Sequence, residues 1–333
     1  MARRLWRTFT IASLHTCIPE VGRNEIEARA NFISHSFRAT RVRKLRVFID
    51  GALGLSEFDP VAYPTIRAVG LAMRATNNVV TLDIRGPYHC TPLAEEISAL
   101  PPSWAPDLRS ITTSLSCGNA LSSFWSSRRH VTELELLFGE DCTQPLIYSP
   151  LPHLTTMKVA TPAQTFCVAQ LHAPRGSPLE SISIGSFRDV DAQSLGANLS
   201  HVFTSLTHLD ISLHPSEGPS SVMYEKFISR FINLRRLRTD HPQLPREYAT
   251  RAFAACRALK HLEEFEWNGI GTVSIQNDSW LIQSSYRTVI VFPIRMRCLG
   301  FSMHSFSTST RVQMAHLPGA PVDRSGLSKV LHI

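Results

Sequence analysis

One short pattern recurs along most of the chain: an apolar residue, two variable residues, a second apolar residue, one variable residue and a third apolar residue. The first apolar residue of each copy is here called its anchor. From the second copy to the ninth the anchors are 29, 23, 23, 25, 27, 28 and 28 residues apart, a period that is typical of structural repeats. The nine anchors are Val42, Val79, Leu108, Val131, Leu154, Leu179, Leu206, Leu234 and Leu262.

Each copy predicts a β-strand with defined ends. A polar residue or proline usually precedes the anchor, and Gly or Pro follows the strand, as at Gly86. Because side chains alternate between the two faces of a strand, the apolar positions should point inward and the variable positions outward. The inward positions expected to be buried include Leu82, Leu134, Ile182, Leu209 and Leu237.

Between the copies the apolar spacing changes to a helical period, as over residues 66–73, 222–232 and 248–256. Another helix is expected near Asn24–Phe37. Alternating strands and helices predict an α/β fold, specifically a βα solenoid with a parallel sheet on its concave side and helices on its convex side. The expected divisions are an N-terminal cap at 1–40, the solenoid at 41–303 and an irregular or disordered tail at 304–333.

The formal net charge of +7 is distributed unevenly along the 333 residues. Residues 1–50 carry 10 Lys/Arg against 4 Asp/Glu, whereas residues 51–270 carry 18 against 21. A slightly acidic middle does not suit a continuous phosphate-binding surface, so no nucleic-acid partner is predicted. No apolar stretch approaches the ~20 residues of a membrane-spanning helix, so no membrane partner is predicted either.

The seven cysteines are an odd number and include no C-x-x-C pair. This usage favours reduced thiols and a cytoplasmic or nuclear location.

Motifs for catalysis or cofactor binding are absent from the sequence: it has no nucleophile elbow, phosphate-binding loop, zinc-protease motif or dinucleotide fingerprint. The adjacent residues His89 and Cys90 should point in opposite directions, so they are interpreted as part of a turn. Cys142 follows two acidic residues, which disfavour a reactive thiolate. The sequence therefore predicts a protein that is not an enzyme, with no cofactor.

Two further groups of residues suggest chemistry but have simpler explanations. His130, His153 and His261 precede their anchors at equivalent positions, and they are interpreted as structural surface histidines rather than metal ligands. The glutamates of the fourth and ninth copies lie along one exposed strand face, so they are expected to be solvated. No metal site is predicted.

The strand pattern over roughly residues 40–270 resembles the leucine-rich-repeat family. It departs from that family at the turn position that usually holds Asn or Cys, where this chain has residues such as Pro87 and Gly139. The resemblance implies the longer, irregular intracellular type of repeat.

The sequence of residues Arg4–Ile11 resembles the segment that follows the F-box in fungal F-box/leucine-rich-repeat proteins. This resemblance implies a protein-binding solenoid that recognises substrates for an F-box-type (SCF) ubiquitin ligase, with residues 1–40 as a segment following the F-box. The Skp adaptor and cullin would then be partners only if an F-box lies upstream, since none is visible here. The alternatives are a free-standing leucine-rich-repeat scaffold without a link to ubiquitin and, more remotely, a small-molecule sensor.

A protein partner is expected on the concave face, where the exposed charges alternate in blocks of sign, a pattern that favours a protein with complementary patches. The arginines of the eighth copy beside the glutamates of the ninth also fit a cross-strand ion-pair ladder, and both interpretations stay open. The candidate residues are Lys44, Arg46, Asp83, Arg85, Glu133, Glu135, Thr156, Lys158, His208, Asp210, Arg236, Arg238, Glu264 and Glu266.

Overall fold

A computed structural model of the chain describes residues 7–13, 18–50, 63–87, 90–115, 120–137, 147, 151–168, 178–199, 202–213, 227–241, 259–269, 271–275, 280–284 and 288–291. Its strands are β1 (Thr8–Ile11), β2 (Lys44–Phe48), β3 (Thr81–Arg85), β4 (Ser110–Thr113), β5 (Glu133–Leu136), β6 (Thr156–Val159), β7 (Ser181–Phe187), β8 (His208–Leu213), β9 (Arg236–His241), β10 (Glu264–Gly269), β11 (Gly271–Ile275), β12 (Trp280–Ser284) and β13 (Thr288–Val291). Its α-helices are α1 (Pro19–Ser34), α2 (Tyr63–Ala75), α3 (Thr91–Ser98), α4 (Ser122–Ser126) and α5 (Asp189–Asn198). The helix expected over 248–256, the first five residues of that expected over 222–232, and the tail 304–333 lie outside the described residues. Within 227–232, Phe227 and Ile228 are helical and a turn follows them.

The fold is α/β, with a sheet in which β1 to β10 follow one another in chain order and every neighbouring pair is parallel. Strand β13 adds to β10 in the antiparallel direction, and β11 and β12 form a separate antiparallel pair. The predicted parallel sheet with helices is confirmed. Each of the nine expected strands, β2 to β10, begins two residues after its anchor.

Strand β1 belongs to a tenth copy of the repeat, which was not among the nine predicted copies. Residues 6–11 have the same order of apolar and variable positions, with Phe9 and Ile11 as the second and third apolar residues. Thr8 pairs with Lys44, so β1 continues the sheet in the common register. The N-terminal segment therefore belongs to the same sheet as the repeats.

A shared-carbonyl ladder joins consecutive repeats at the start of each strand. The backbone carbonyl of Arg43, which follows the anchor Val42, accepts hydrogen bonds from the backbone N–H groups of Val80 and Thr81 at 2.7 and 3.0 Å. Carbonyls at equivalent positions accept the same two bonds at every step of the parallel sheet. The acceptors are Arg7, Arg43, Val80, Arg109, Thr132, Thr155, Glu180, Thr207 and Arg235.

Apolar residues of the sheet and the helices form one continuous core. On α1, Ile26, Ala30 and Ile33 are spaced for one helix face, and all three are fully buried. This helix was expected near Asn24–Phe37 but begins at Pro19, a residue whose fixed φ suits a first helical position. The inward strand positions are buried as predicted, at 2% exposure or less for Leu82, Leu134, Ile182, Leu209 and Leu237.

Asparagine side chains connect repeats at their edge. Asn78 precedes the anchor Val79 and donates through Nδ2 to the carbonyl of Thr40 at 2.8 Å. Asn233 precedes Leu234 and donates to the carbonyl of Thr204 in the same way at 2.7 Å. The two bonds are equivalent, because each acceptor lies two residues before the anchor of the preceding repeat.

Arg128 is a buried cation, 3% exposed, at the end of α4. Its guanidinium donates to the backbone carbonyls of Pro101, Pro102 and Trp104 and lies 5.2 and 5.0 Å from the ring centroids of Trp104 and Phe124. Burial lowers the pKa of Arg128 to about 10. The three carbonyls and two aromatic rings replace the water that this charge gives up.

A bulge interrupts the pairing of β7 with β8 between Ile184 and Phe187. Within it, Gly185 passes so close to β6 that a Cβ atom at this position would lie 2.5 Å from the carbonyl oxygen of Ala160. Ser186 has φ at 45°, in the left-handed region. A glycine at 185 is therefore required by the close approach of two strands.

Within the residues that the structure describes, no helix combines the length and the apolar composition needed to cross a membrane.

Candidate functional site

One face of the sheet is lined by polar side chains in two straight rows. The alternation of each strand points its apolar residues into the core and leaves the intervening positions on the opposite face, here called the polar face. The first row contains Thr8, Lys44, Thr81, Ser110, Glu133, Thr156, Ser181, His208, Arg236 and Glu264. The second contains Thr10, Arg46, Asp83, Thr112, Glu135, Lys158, Ser183, Asp210, Arg238 and Glu266.

The common strand register brings the candidate residues together. Thirteen of the fourteen residues selected from the sequence occupy these two rows, and Arg85 follows in the next outward position of β3. Glu133, Lys158 and Arg236 are exposed, while Lys44 and Glu135 are among those that are partly buried by their neighbours. The side-chain exposure of Glu266 lies outside the described residues.

Asp83 was expected to be exposed, and this expectation is wrong, because the residue is only 6% exposed. Arg85 donates through Nε to its Oδ1 at 3.0 Å, and Arg46 on the neighbouring strand approaches its Oδ2 at 4.0 Å. These two long side chains cover the short carboxylate from both sides. The guanidinium of Arg85 also lies 5.2 Å from the ring centroid of Phe48.

The middle of the polar face is acidic and hydroxyl-rich. Thr112 donates to Oε2 of Glu135 at 3.0 Å. Glu133 is exposed in the adjacent row, and Lys158 follows on β6. This contact holds one glutamate in place and leaves Glu133 available to water or a partner.

The arginines at the β9 end are neutralised by nearby carboxylates. Arg236 donates through Nε to Glu264 at 2.6 Å. Arg238 lies 3.2 Å from Asp240 on its own strand and 3.8 Å from Asp210 on β8. The expected ladder of ion pairs is therefore present at this end, and its contribution to partner binding stays a prediction.

His208 lies within this charged end of the face. Burial and, secondarily, the positive charge of Arg236 lower the pKa of His208 below its usual value, while Glu180 and Glu264 oppose the shift. Its Nδ1 lies 2.8 Å from the hydroxyl of Thr207, so the ring is held by a neighbour in sequence. The imidazole is favoured in its neutral form.

The residues considered for other chemistry occupy structural positions. The rings of His130 and His153 stack with centroids 5.9 Å apart, because their repeats are consecutive. The N–H of Cys90 bonds to the carbonyl of Pro87 at 3.2 Å, which forms the turn expected after β3. His89 and Cys142 lie outside the described residues. Among those that are described, no group of three or more His, Cys, Asp or Glu is arranged to hold a metal ion.

Two features had signals in the sequence that went unused. The pattern over residues 6–11 was sufficient to identify β1, and the repeated pre-anchor position of Asn78 and Asn233 suggested a shared role. Arg128 had no such signal, since its partners are backbone carbonyls.

Comparison of the chain with protein-family models and with curated protein sequences finds no match.

Proposed function

We propose that this chain is a leucine-rich-repeat-like solenoid that binds a protein partner on its polar face. The observation that carries the proposal is the pair of polar rows that crosses ten parallel strands in one register. At about 4.8 Å between strands, the rows extend over roughly 43 Å, which matches the scale of a protein surface rather than that of a small ligand.

The repeat itself supports the family resemblance. Each repeat contributes one strand in the same register, and the shared-carbonyl ladder recurs at each junction between repeats. A stack in which each unit contacts mainly its neighbours is the arrangement of leucine-rich repeats, and in that arrangement the polar face is the concave one.

The charges of the polar face support recognition of a protein. The sign of charge changes along this face. It is basic on β2, acidic on β5 and of both signs on β8 to β10. A partner with complementary patches would satisfy these blocks, whereas the uniform charge of a nucleic acid would meet repulsion at Glu133 and Glu135.

A substitution on the polar face tests this function against a matched control. The test variant carries Glu133→Arg and Lys158→Glu. Both residues are exposed, and the two changes together keep the net charge. The control exchanges Glu95→Arg and Arg67→Glu on the exposed sides of α3 and α2. Proteins captured from cells by the wild type should be lost by the test variant and kept by the control. Capture of the same proteins by both variants would contradict the proposal.

Substrate recognition for an F-box-type ubiquitin ligase is the specific form of this function that we propose. The order of β1, α1 and β2 supports it, since an extended segment, a helix and a first repeat strand follow the F-box in the family that the N-terminus resembles. The test is co-purification of the Skp adaptor and cullin with the full gene product. Partner capture without either protein would favour the alternative, a scaffold with no link to ubiquitin.

A further inference from the structure

The two ends of the polar face differ in how their basic residues are neutralised. At β9, Arg236 and Arg238 each have a carboxylate within 3.2 Å. At the other end, six basic residues stand either on β2 and β3 or in the residues that lead into β1 and β2, and this set is here called the basic end. It comprises Arg7, Arg41, Arg43, Lys44, Arg46 and Arg85.

Within the described residues, Asp83 is the sole carboxylate that pairs with members of the basic end. Its single negative charge is shared between Arg46 and Arg85. The guanidinium of Arg43 donates to the backbone carbonyl of Asn78 at 3.1 Å, a neutral acceptor that leaves its charge uncompensated. Among the described residues, the basic end therefore carries an excess of positive charge that ion pairs do not neutralise.

Two contacts position Arg85 within the basic end. Asp83 is buried and fixes the Nε of Arg85, whose guanidinium also lies over the ring of Phe48. The Nε of Arg46 is buried without a hydrogen-bond acceptor among the described residues, although its side chain is 40% exposed. Arginines that are already positioned lose less side-chain entropy when an anion binds.

The size of the basic end limits the anion that fits it. Strands β1 to β3 span about 10 Å, followed by the neutral Ser110 and Thr112 on β4 and then by Glu133 and Glu135 on β5. An extended polypeptide advances about 3.3 Å per residue, so roughly three to five residues cross the basic end. A longer polyanion that continued along the face would meet the two glutamates.

We propose that the basic end binds a short acidic segment, rich in Asp and Glu, of the protein partner. This inference rests on the proposed function and specifies where the partner's acidic segment is recognised. Thr8 and Thr10 on β1 add hydroxyl donors beside the basic residues, which suits carboxylate ligands.

The experiment measures binding of a fluorescent peptide of alternating Glu and Ser, about five residues long, to the full chain by anisotropy. The test variant, Arg7→Gln, Arg41→Gln and Lys44→Gln, removes three charges that form no ion pair with described residues. The control variant, Arg67→Gln, Arg129→Gln and Lys260→Gln, removes the same charge from exposed positions outside the polar face. Melting curves of both variants establish that they fold, and Lys44→Gln alone provides a milder change.

The test variant should weaken peptide binding about tenfold, the control less than about threefold, and Lys44→Gln an intermediate amount. Added salt should weaken binding by the wild type. Equal losses in both triple variants, or no peptide binding by the wild type, would overturn the inference. Tighter binding of an oligothymidylate of about five nucleotides than of the peptide would overturn it in favour of a nucleic acid.

This result is separable from the fate of the proposed function. If the peptide fails to bind while substitutions at Glu133 and Lys158 still abolish partner capture, the polar face is a binding surface and only the acidic segment is wrong. If the peptide fails to bind and the substitutions at Glu133 and Lys158 leave partner capture unchanged, both the acidic-segment inference and the proposed function fail.

Discussion

Arg236 and Glu264 face each other across β9 and β10, with 2.6 Å between Nε of the arginine and Oε2 of the glutamate. The parallel register places the two residues directly opposite each other. Their side chains are 58% and 26% exposed, so water weakens the attraction between them. This geometry favours a structural role for Arg236 in joining the two strands.

Reversal of one charge in this pair should destabilise the protein modestly. Arg236→Glu is expected to lower the free energy of unfolding by about 1 kcal/mol, because two carboxylates would then oppose each other. The double variant Arg236→Glu, Glu264→Arg should recover most of the loss. Urea unfolding measures both values, and a double variant no more stable than the single one would exclude direct coupling.

Loss of the Asn78 side chain should weaken the junction between the first two repeats after β1. Asn78→Ala removes one hydrogen bond to the carbonyl of Thr40, at a cost of about 0.5–1.5 kcal/mol. Asn78→Asp should cost more, since a carboxylate cannot donate to that carbonyl. The control is Asn77→Ala, at an exposed position where the side chain makes no hydrogen bond to described residues. Equal melting temperatures for all three variants would contradict this role.

Replacement of Arg128 should be among the most damaging single changes. Arg128→Met leaves the carbonyls of Pro101 and Trp104 without their donor, which should cost about 2–4 kcal/mol in urea unfolding. Arg128→Lys should recover only part of this, because an ammonium does not reproduce the planar set of donors. The neighbouring Arg129→Met is the control, since Arg129 is exposed, and its stability should match that of the wild type.

A methyl group at position 185 should disturb the pairing of β6 with β7. Gly185→Ala places Cβ 2.5 Å from the carbonyl oxygen of Ala160, so the strands must separate, at about 1–3 kcal/mol. Gly86→Ala is the control, because the nearest atoms to a Cβ there lie at 3.8 Å, an ordinary contact. Thermal unfolding should show a lower midpoint for the first variant alone.

The lowered pKa of His208 should make stability depend on pH in the acidic range. The unfolded imidazole takes up a proton near pH 6.5, whereas burial and Arg236 delay protonation of the folded one to lower pH. The unfolded state therefore binds more protons in this interval, and the free energy of unfolding falls as the pH drops below about 6.5.

Urea unfolding at pH 7 and pH 5.5 measures this dependence. His208→Gln should reduce the difference between the two conditions, and Arg236→Gln should also reduce it by bringing the pKa of His208 closer to 6.5. An unchanged difference in His208→Gln would assign the pH dependence to other groups.

The strands were predictable from sequence because their anchors carry a strong apolar signal, and the offset of two residues from anchor to strand is constant. The polar rows followed from the alternation of side chains once the strands were placed. Strand β1 was missed because the step of 36 residues from Trp6 to Val42, like the 37 from Val42 to Val79, lies outside the regular steps of 23–29 residues.

The contacts between side chains were beyond the sequence, because they depend on partners that are distant along the chain. Asn78 bonds to a carbonyl 38 residues away, and Asn233 to one 29 residues away. The burial of Asp83 depends on how Arg46 and Arg85 fold over it, and a repeat pattern carries no information about that arrangement.

The shared-carbonyl ladder has a consequence for how the gene can change in length. At each junction the same two backbone N–H groups meet the equivalent carbonyl, so these two hydrogen bonds do not depend on which side chains the units carry. Recombination that removed residues 131–153, one full step of the series, would bring Thr155 and Thr156 to the carbonyl that Thr132 and Glu133 now use. The number of units, and with it the length of the polar face, is therefore open to duplication and excision while the backbone bonds at each junction stay the same.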